Sequence, residues 1–214
     1  MRIALINENS QAQKNSEIFN VLQNTAKKYG HEVYNFGMYS KEDNEQITYV
    51  QVGILAAILL NSKAVDFVVT GCGTGEGAML ACNSFPGVIC GHVQDPSDAY
   101  MFMQINNGNA IAIPFAKGYG WGAELNLKYI FDRLFEEEAG KGYPKERAIP
   151  EQTNKKILDQ VKSLTYKNII DILDNLDKDL LKGAISTKGF NEYFYNLAED
   201  KKIVEYIKKY DIKV

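Results

Sequence analysis

Arginine is scarce in this chain. Only Arg2, Arg133 and Arg147 occur among 214 residues, so an arginine cluster gripping phosphate groups is hard to assemble. A basic excess is also missing. The net charge is −3, and the first 150 residues carry 16 Asp and Glu against 12 Lys and Arg, which argues against a nucleic-acid partner. The three cysteines (Cys72, Cys82, Cys90) are odd in number and lack CxxC spacing, so neither a disulfide framework nor a zinc ribbon is expected. Five prolines and 17 glycines exclude collagen-like or low-complexity character. The longest apolar stretch, Val52 to Leu60, falls short of the ~18 residues that span a bilayer. Met1–Ile6 runs directly into polar Asn7-Glu8-Asn9-Ser10, so no secretory signal is expected. These absences predict a cytoplasmic protein with neither nucleic acid nor membrane as partner.

What is present is an ordinary globular composition, 45% apolar and 24% charged. The length lies between one and two average domains. Arg2–Ile6 reads as a buried strand, Ser16–Gly30 as an amphipathic helix ending at a capping glycine, and His31–Phe36 as a second strand. Thr48–Asn61 suits a buried helix, and Val65–Thr70, Val88–Cys90 and Ala110–Pro114 suit further strands. Helices are expected from Ala78, over Ala99–Asn107 and over Glu124–Glu137. This alternation predicts an α/β fold, a Rossmann-like, doubly wound sheet of five parallel strands over residues 1–150. From 151 to 214 apolar residues recur only at helical spacing, as in Ile157, Val161, Leu164, Ile169, Ile172, Leu173, Leu176 and Leu180. That segment predicts an all-helical C-terminal extension.

The most informative stretch is Thr70-Gly71-Cys72-Gly73-Thr74-Gly75-Glu76-Gly77, between the third strand and a helix. In an open α/β sheet, ligands bind at the carboxyl ends of the strands, where this loop falls. Glycines let backbone N–H groups converge there, and the helix that follows adds its positive end. Such a nest holds an anion, or an oxygen that becomes anionic during reaction. No lysine completes a P-loop, and Glu76 stands where the dinucleotide fingerprint needs glycine. The plain alternative is a tight turn packing helix on strand. Cys72 lies inside the loop, where amides and a helix terminus favour a thiolate; Cys82 and Cys90 read as inert core.

Cys72-Gly-Thr-Gly, the helix carrying Asn83, the strand Gly87-Val-Ile-Cys and Asn106-Asn107-Gly-Asn109-Ala resemble the ribose-5-phosphate isomerase B / galactose-6-phosphate isomerase (RpiB/LacA/LacB) family over the first 150 residues. The resemblance implies aldose–ketose isomerisation through a cis-enediolate, with no metal, nucleotide or other cofactor. It also implies a homodimer, or alternatively a tetramer, with sites between subunits. Cys72 would shuttle the proton between adjacent sugar carbons. Thr74 and the N–H groups around Gly73, Gly75 and Gly77 would hold the enediolate oxygen. Asn83 and Asn106 would hydrogen-bond the substrate, and Tyr49 would lie near the sugar. Asn83 could equally fill a turn, and Tyr49 could be a core aromatic.

Several positions depart from that pattern. The family's Asp-His pair after the first strand is Glu8-Asn9 here, which keeps a carboxylate for substrate binding but loses the cation. The ring-opening histidine is replaced by Ile105, and the phosphate-gripping arginines are absent from Ala99–Gln104. The substrate implied is open-chain and need not carry phosphate. His92, expected at the end of the fourth strand, could donate a hydrogen bond or exchange protons, and Arg147 is the remaining bidentate anion ligand. Both could instead be surface residues, and His31 reads as structural. One branch of the resembled family isomerises 4-deoxy-L-threo-5-hexosulose-uronate, a linear keto-uronate of this description. Two alternatives stay open: a pentose or hexose phosphate isomerase, and a non-catalytic sugar- or anion-binding module.

Overall fold

The computed structural model of the chain describes residues 1–210. Five strands, β1 (Arg2–Asn7), β2 (Glu32–Asn35), β3 (Phe67–Cys72), β4 (Cys90–His92) and β5 (Ala110–Pro114), form one parallel sheet in the order β2-β1-β3-β5-β4. Successive residues of β1 face opposite sides, as strand geometry requires. Ala4 and Ile6 join one apolar core, while Ile3 and Leu5 join the other. Helices α1 (Asn15–Lys28), α4 (Pro96–Met101) and α5 (Ala123–Phe135) cover the second face, and α2 (Tyr49–Asn61) and α3 (Glu76–Asn83) cover the first.

The chain leaves β1 for β2 on one side and later sets β3 on the other, pairing Asn7 with Gly71. That reversal opens a crevice at the carboxyl ends of β1 and β3, the place where open α/β sheets bind ligands. The expected Rossmann-like, doubly wound architecture is what the chain adopts.

Every residue of α2 from Val52 to Leu59 is buried. A helix apolar all round must be enclosed on all sides. Here α3 packs on one flank, so closely that a Cβ on Gly53 would lie 2.6 Å from the Ala81 carbonyl. The C-terminal helices α7 (Ile169–Asn175), α8 (Lys178–Ile185), α9 (Lys188–Leu197) and α10 (Lys201–Lys208) add to the same core as α2. Their starts are written in the sequence. Asn168, Asp177, Thr187 and Asp200 each accept a first-turn N–H through the side chain. Thr187 also donates to the Phe36 carbonyl at 2.7 Å, tying α9 to the end of β2. Between α5 and α7 runs α6 (Ala148–Thr165), an 18-residue helix with no buried residue.

Several boundaries differ from expectation. The third strand is Phe67–Cys72 rather than Val65–Thr70, so Gly71 and Cys72 end the strand rather than open the loop. The fourth strand is Cys90–His92 rather than Val88–Cys90, because Ile89 is held by Asn109, whose side chain accepts the Ile89 N–H at 2.8 Å. The helix expected over Ala99–Asn107 starts earlier, at Pro96 behind the cap Asp95, and loosens into a wider turn over Phe102–Asn106.

Candidate active site

The polypeptide leaves β3 at Cys72 and turns through Gly73-Thr74-Gly75 into α3. Gly75 is the N-cap of α3 at φ +78°, a left-handed conformation, and no side chain caps the helix. The first-turn amides therefore have neither a helical acceptor nor a side-chain one, and face the crevice as donors. A Cβ at Gly75 would approach the His92 ring to 2.8 Å, so glycine is required for geometry and for space.

His92, the last residue of β4, lies against this turn. Its Nε2 is 2.8 Å from the Thr74 carbonyl and its Nδ1 is 3.5 Å from the Gln94 amide nitrogen. A carbonyl partner makes Nε2 the donor, which leaves Nδ1 as the basic nitrogen of the neutral ring. Tyr49, the first residue of α2, stands over the opposite side of the loop. A Cβ on Gly77 would meet its ring at 3.3 Å. The ring is about half exposed and is not a core aromatic. Thr48 and Gln51 form a capping box that fixes the start of this helix and hence Tyr49.

Cys72 is only 9% exposed, at the end of β3 in the apolar core on the α2–α3 face, and its carbonyl accepts the Phe115 N–H at 2.9 Å. Cys82 and Cys90 are buried elsewhere, on α3 and β4. The Cys82 thiol and burial push Cys90 well above the ordinary thiol range, which makes that thiol inert as a base.

Glu8 follows β1 and is buried at 3% exposure. Its carboxylate accepts the Ser10 N–H at 2.8 Å and the Ser10 hydroxyl at 2.6 Å, which caps a short 3-10 turn over Asn9–Lys14. Asn9 is exposed, and its N–H donates to the Ile47 carbonyl. The same turn brings in two residues that the sequence did not single out. Gln11 approaches the loop, 4.0 Å from where a Gly73 Cβ would stand. Lys14 donates to the Gln11 side-chain oxygen at 2.8 Å and to the Phe115 carbonyl. The available signal was their position directly after the first strand, at the carboxyl edge.

Three expected residues are not brought to this place within the chain. Asn83 ends α3, and its side chain donates to the Cys90 carbonyl at 2.8 Å and accepts the Cys90 N–H at 3.0 Å. Both of its amide groups fasten the start of β4, the opposite edge of a parallel sheet from the loop, so the turn-filling role is the one the structure gives it. Asn106 precedes β5 and Arg147 follows α5, so both also lie at the amino edge, exposed. Of the other arginines, Arg2 is engaged by Glu199 and the Lys63 and Leu197 carbonyls, and Arg133 by Glu136. Among the described residues of one chain, no arginine side chain is placed against the glycine loop. A cavity of about 780 Å³ also opens at the amino edge, among Asn107, Asn109, Lys155, Lys162 and Tyr166. Among the described residues no cluster of His, Cys, Asp and Glu is placed to hold a metal ion.

A buried sulfur, a donor-rich helix start, an imidazole and an aromatic wall can move a proton between adjacent carbons beside an oxygen held by N–H groups. Known proteins show which activity the chain carries. A family described as Ribose/Galactose Isomerase matches residues 3–141, and one described as Ribose-5-phosphate isomerase matches residues 164–210. A crystal structure of 4-deoxy-L-threo-5-hexosulose-uronate ketol-isomerase complexed with a tartrate is 58% identical, with TM-score 0.96 over 98% of this chain and 99% of that one. Ribose-5-phosphate isomerase LacAB_rpiB from Vibrio parahaemolyticus is 49% identical, also at 0.96, over 99% of both chains. Clostridium thermocellum ribose-5-phosphate isomerase B, 23% identical with TM-score 0.60 over 76% of this chain and 98% of that one, shares the fold. The chain belongs to the ribose/galactose isomerase family and is a sugar isomerase.

Proposed function

We propose that the substrate is an open-chain sugar acid, 4-deoxy-L-threo-5-hexosulose-uronate, isomerised between aldose and ketose forms. The observation that carries this reading is how little arginine is free: Arg2 and Arg133 are engaged by Glu199 and Glu136, which leaves Arg147, supplied by a second copy, as the one guanidinium for an anion. Ile105, in the place of a ring-opening histidine, fits a substrate that is already linear. The 58% identical relative is named for this uronate.

In the mechanism, the Cys72 thiolate takes the proton from the carbon next to the aldehyde. The electron pair forms the enediolate double bond, and charge gathers on the former carbonyl oxygen. The amides around Gly73, Gly75 and Gly77, with the Thr74 hydroxyl, stabilise that oxygen. The Cys72 thiol then returns the proton to the neighbouring carbon, giving the ketose. His92, through Nδ1, relays the proton between the two oxygens, and Glu8 and Tyr49 hold the chain of hydroxyl groups. No cofactor enters these steps.

Asn106 and Arg147 reach a site in this reading only from a second copy, so the working unit is a homodimer. The uncovered α6, with Ile149 and Leu164 more than four-fifths exposed, supports a partner. The extension expected from residue 151 is then separate from the catalytic domain, and its helices α7 to α10 complete the core around α2. Three free cysteines suit a reducing cytoplasm, and no helix of the described residues is long and apolar enough to cross a membrane.

A phosphorylated pentose is the second reading, favoured by the relative from Vibrio parahaemolyticus. Incubating the protein separately with the uronate and with ribose 5-phosphate decides between them. Turnover of the uronate alone is expected, and turnover of the phosphate ester alone overturns the substrate assignment.

A further inference from the structure

Lys14 is a cation drawn inward at the carboxyl edge. Its ammonium donates to the Gln11 side chain at 2.8 Å and to the Phe115 carbonyl, and it lies 4.3 Å from the centre of the Tyr119 ring. Phe115 is itself bonded to Cys72, its N–H donating to the Cys72 carbonyl, and the next N–H, of Ala116, donates to the Gly73 carbonyl. Lys14 is therefore tied, through Phe115, to the strand end that carries Cys72. Among the described residues no carboxylate pairs with it. The nearest candidate, Glu17, is already bonded to the Tyr119 hydroxyl at 2.9 Å. Burial holds the ammonium below the ordinary lysine value, with Glu17 opposing the shift. A part-buried cation held only by neutral acceptors, with its counter-charge at a distance, gains when an anion arrives to share its environment.

Gln11 explains why the ammonium stays in place. Its amide donates to the Ser10 hydroxyl at 3.2 Å, and that hydroxyl donates to buried Glu8. The series Glu8–Ser10–Gln11–Lys14 fixes the cation relative to the floor of the crevice, and its rigidity reduces the ordering cost when a ligand binds. Lysine serves here as a compact point charge on a flexible stem, which suits a terminal carboxylate.

We propose that Lys14 anchors the carboxylate end of the substrate and so sets the preference for sugar acids. This rests on the uronate reading above. The probe is tartrate, a hydroxylated dicarboxylate, titrated calorimetrically into the full-length protein beside uronate kinetics. Replacing a charge-assisted contact costs about tenfold or more in affinity. Lys14→Gln is expected to weaken tartrate binding and raise KM for the uronate by about that factor, with kcat within about threefold. Lys14→Arg is expected to restore most of the affinity.

Gln11→Glu pairs the ammonium internally and carries the same expected loss, so the test survives if Lys14→Gln does not fold. Tartrate affinity and KM within twofold of the parent in the folded variants overturn the proposal, as does a loss confined to kcat. Absence of tartrate binding by the parent protein overturns it as well. Tartrate loss without uronate turnover leaves the carboxylate site standing and rejects the substrate reading. Uronate turnover with unchanged tartrate binding rejects Lys14 alone.

Discussion

The two edges of the sheet use polar side chains in opposite ways. At the amino edge, Asn83 and Asn109 are fully engaged with backbone, fixing Cys90, Ile89 and Gly87. At the carboxyl edge, the first-turn amides of α3 are uncapped, Tyr49 is half exposed and His92 Nδ1 is met only by the Gln94 side chain at 3.5 Å. Buried backbone groups need partners, so the amino-edge asparagines are structural. Groups left with unfilled capacity at a crevice are the ones able to act on a ligand. A polar residue in a family-like motif is thus read by what its hydrogen bonds already hold.

The comparison is broken most severely at Cys72. Cys72→Ala is expected to reduce kcat by about 10²–10⁴-fold, the usual contribution of a proton-transferring side chain, while tartrate titration shows ligand binding retained. Unchanged turnover would show that another group moves the proton. Gly75→Ala should follow, losing about tenfold or more in kcat/KM. The added methyl meets the His92 ring and the residue is held at positive φ; a variant as active as the parent would show that the loop tolerates a shift. His92→Gln, which keeps a donor for the Thr74 carbonyl but loses the basic nitrogen, is expected to lower kcat by roughly tenfold with KM little changed.

At the amino edge the expected effect moves from rate to stability. Asn83→Ala removes partners from both backbone groups of Cys90, which costs about 1–3 kcal/mol, read as a lower Tm with KM and kcat per folded molecule unchanged. A selective rise in KM would restore Asn83 to the site. The smallest effect concerns His31, where burial and the nearby N-terminal amine lower the imidazole below its ordinary 6.5. The unfolded chain then binds the proton more readily, so stability falls as pH drops below about 6.5. His31→Phe, tested by thermal unfolding from pH 7 to 5, should flatten that fall.

Most of the fold was legible in the sequence because buried parallel strands are apolar runs and amphipathic helices keep their period. β5 falls on Ala110–Pro114 as expected. β4 was misplaced because Val88 and Ile89 look like strand residues, yet the partner that holds Ile89 is Asn109, twenty residues away. In the site, the glycine loop was visible from spacing alone, and the geometry joins His92 and Tyr49 to it. Gln11 and Lys14 were not visible, since a 3-10 turn capped by its own preceding glutamate has no periodic signature. Asn83 was legible as polar, but only the register of β4 against α3 shows what it holds.

The central claim, that Cys72 moves a proton through an enediolate, is tested most directly by running the isomerisation in heavy water and locating deuterium in the product by NMR. Deuterium is expected at the carbon that receives the proton, in the fraction of turnovers in which the Cys72 thiol exchanges with solvent before returning it, and both turnover and exchange are expected to be lost in Cys72→Ala that still binds tartrate. Turnover or exchange at the parental rate in the variant would contradict it.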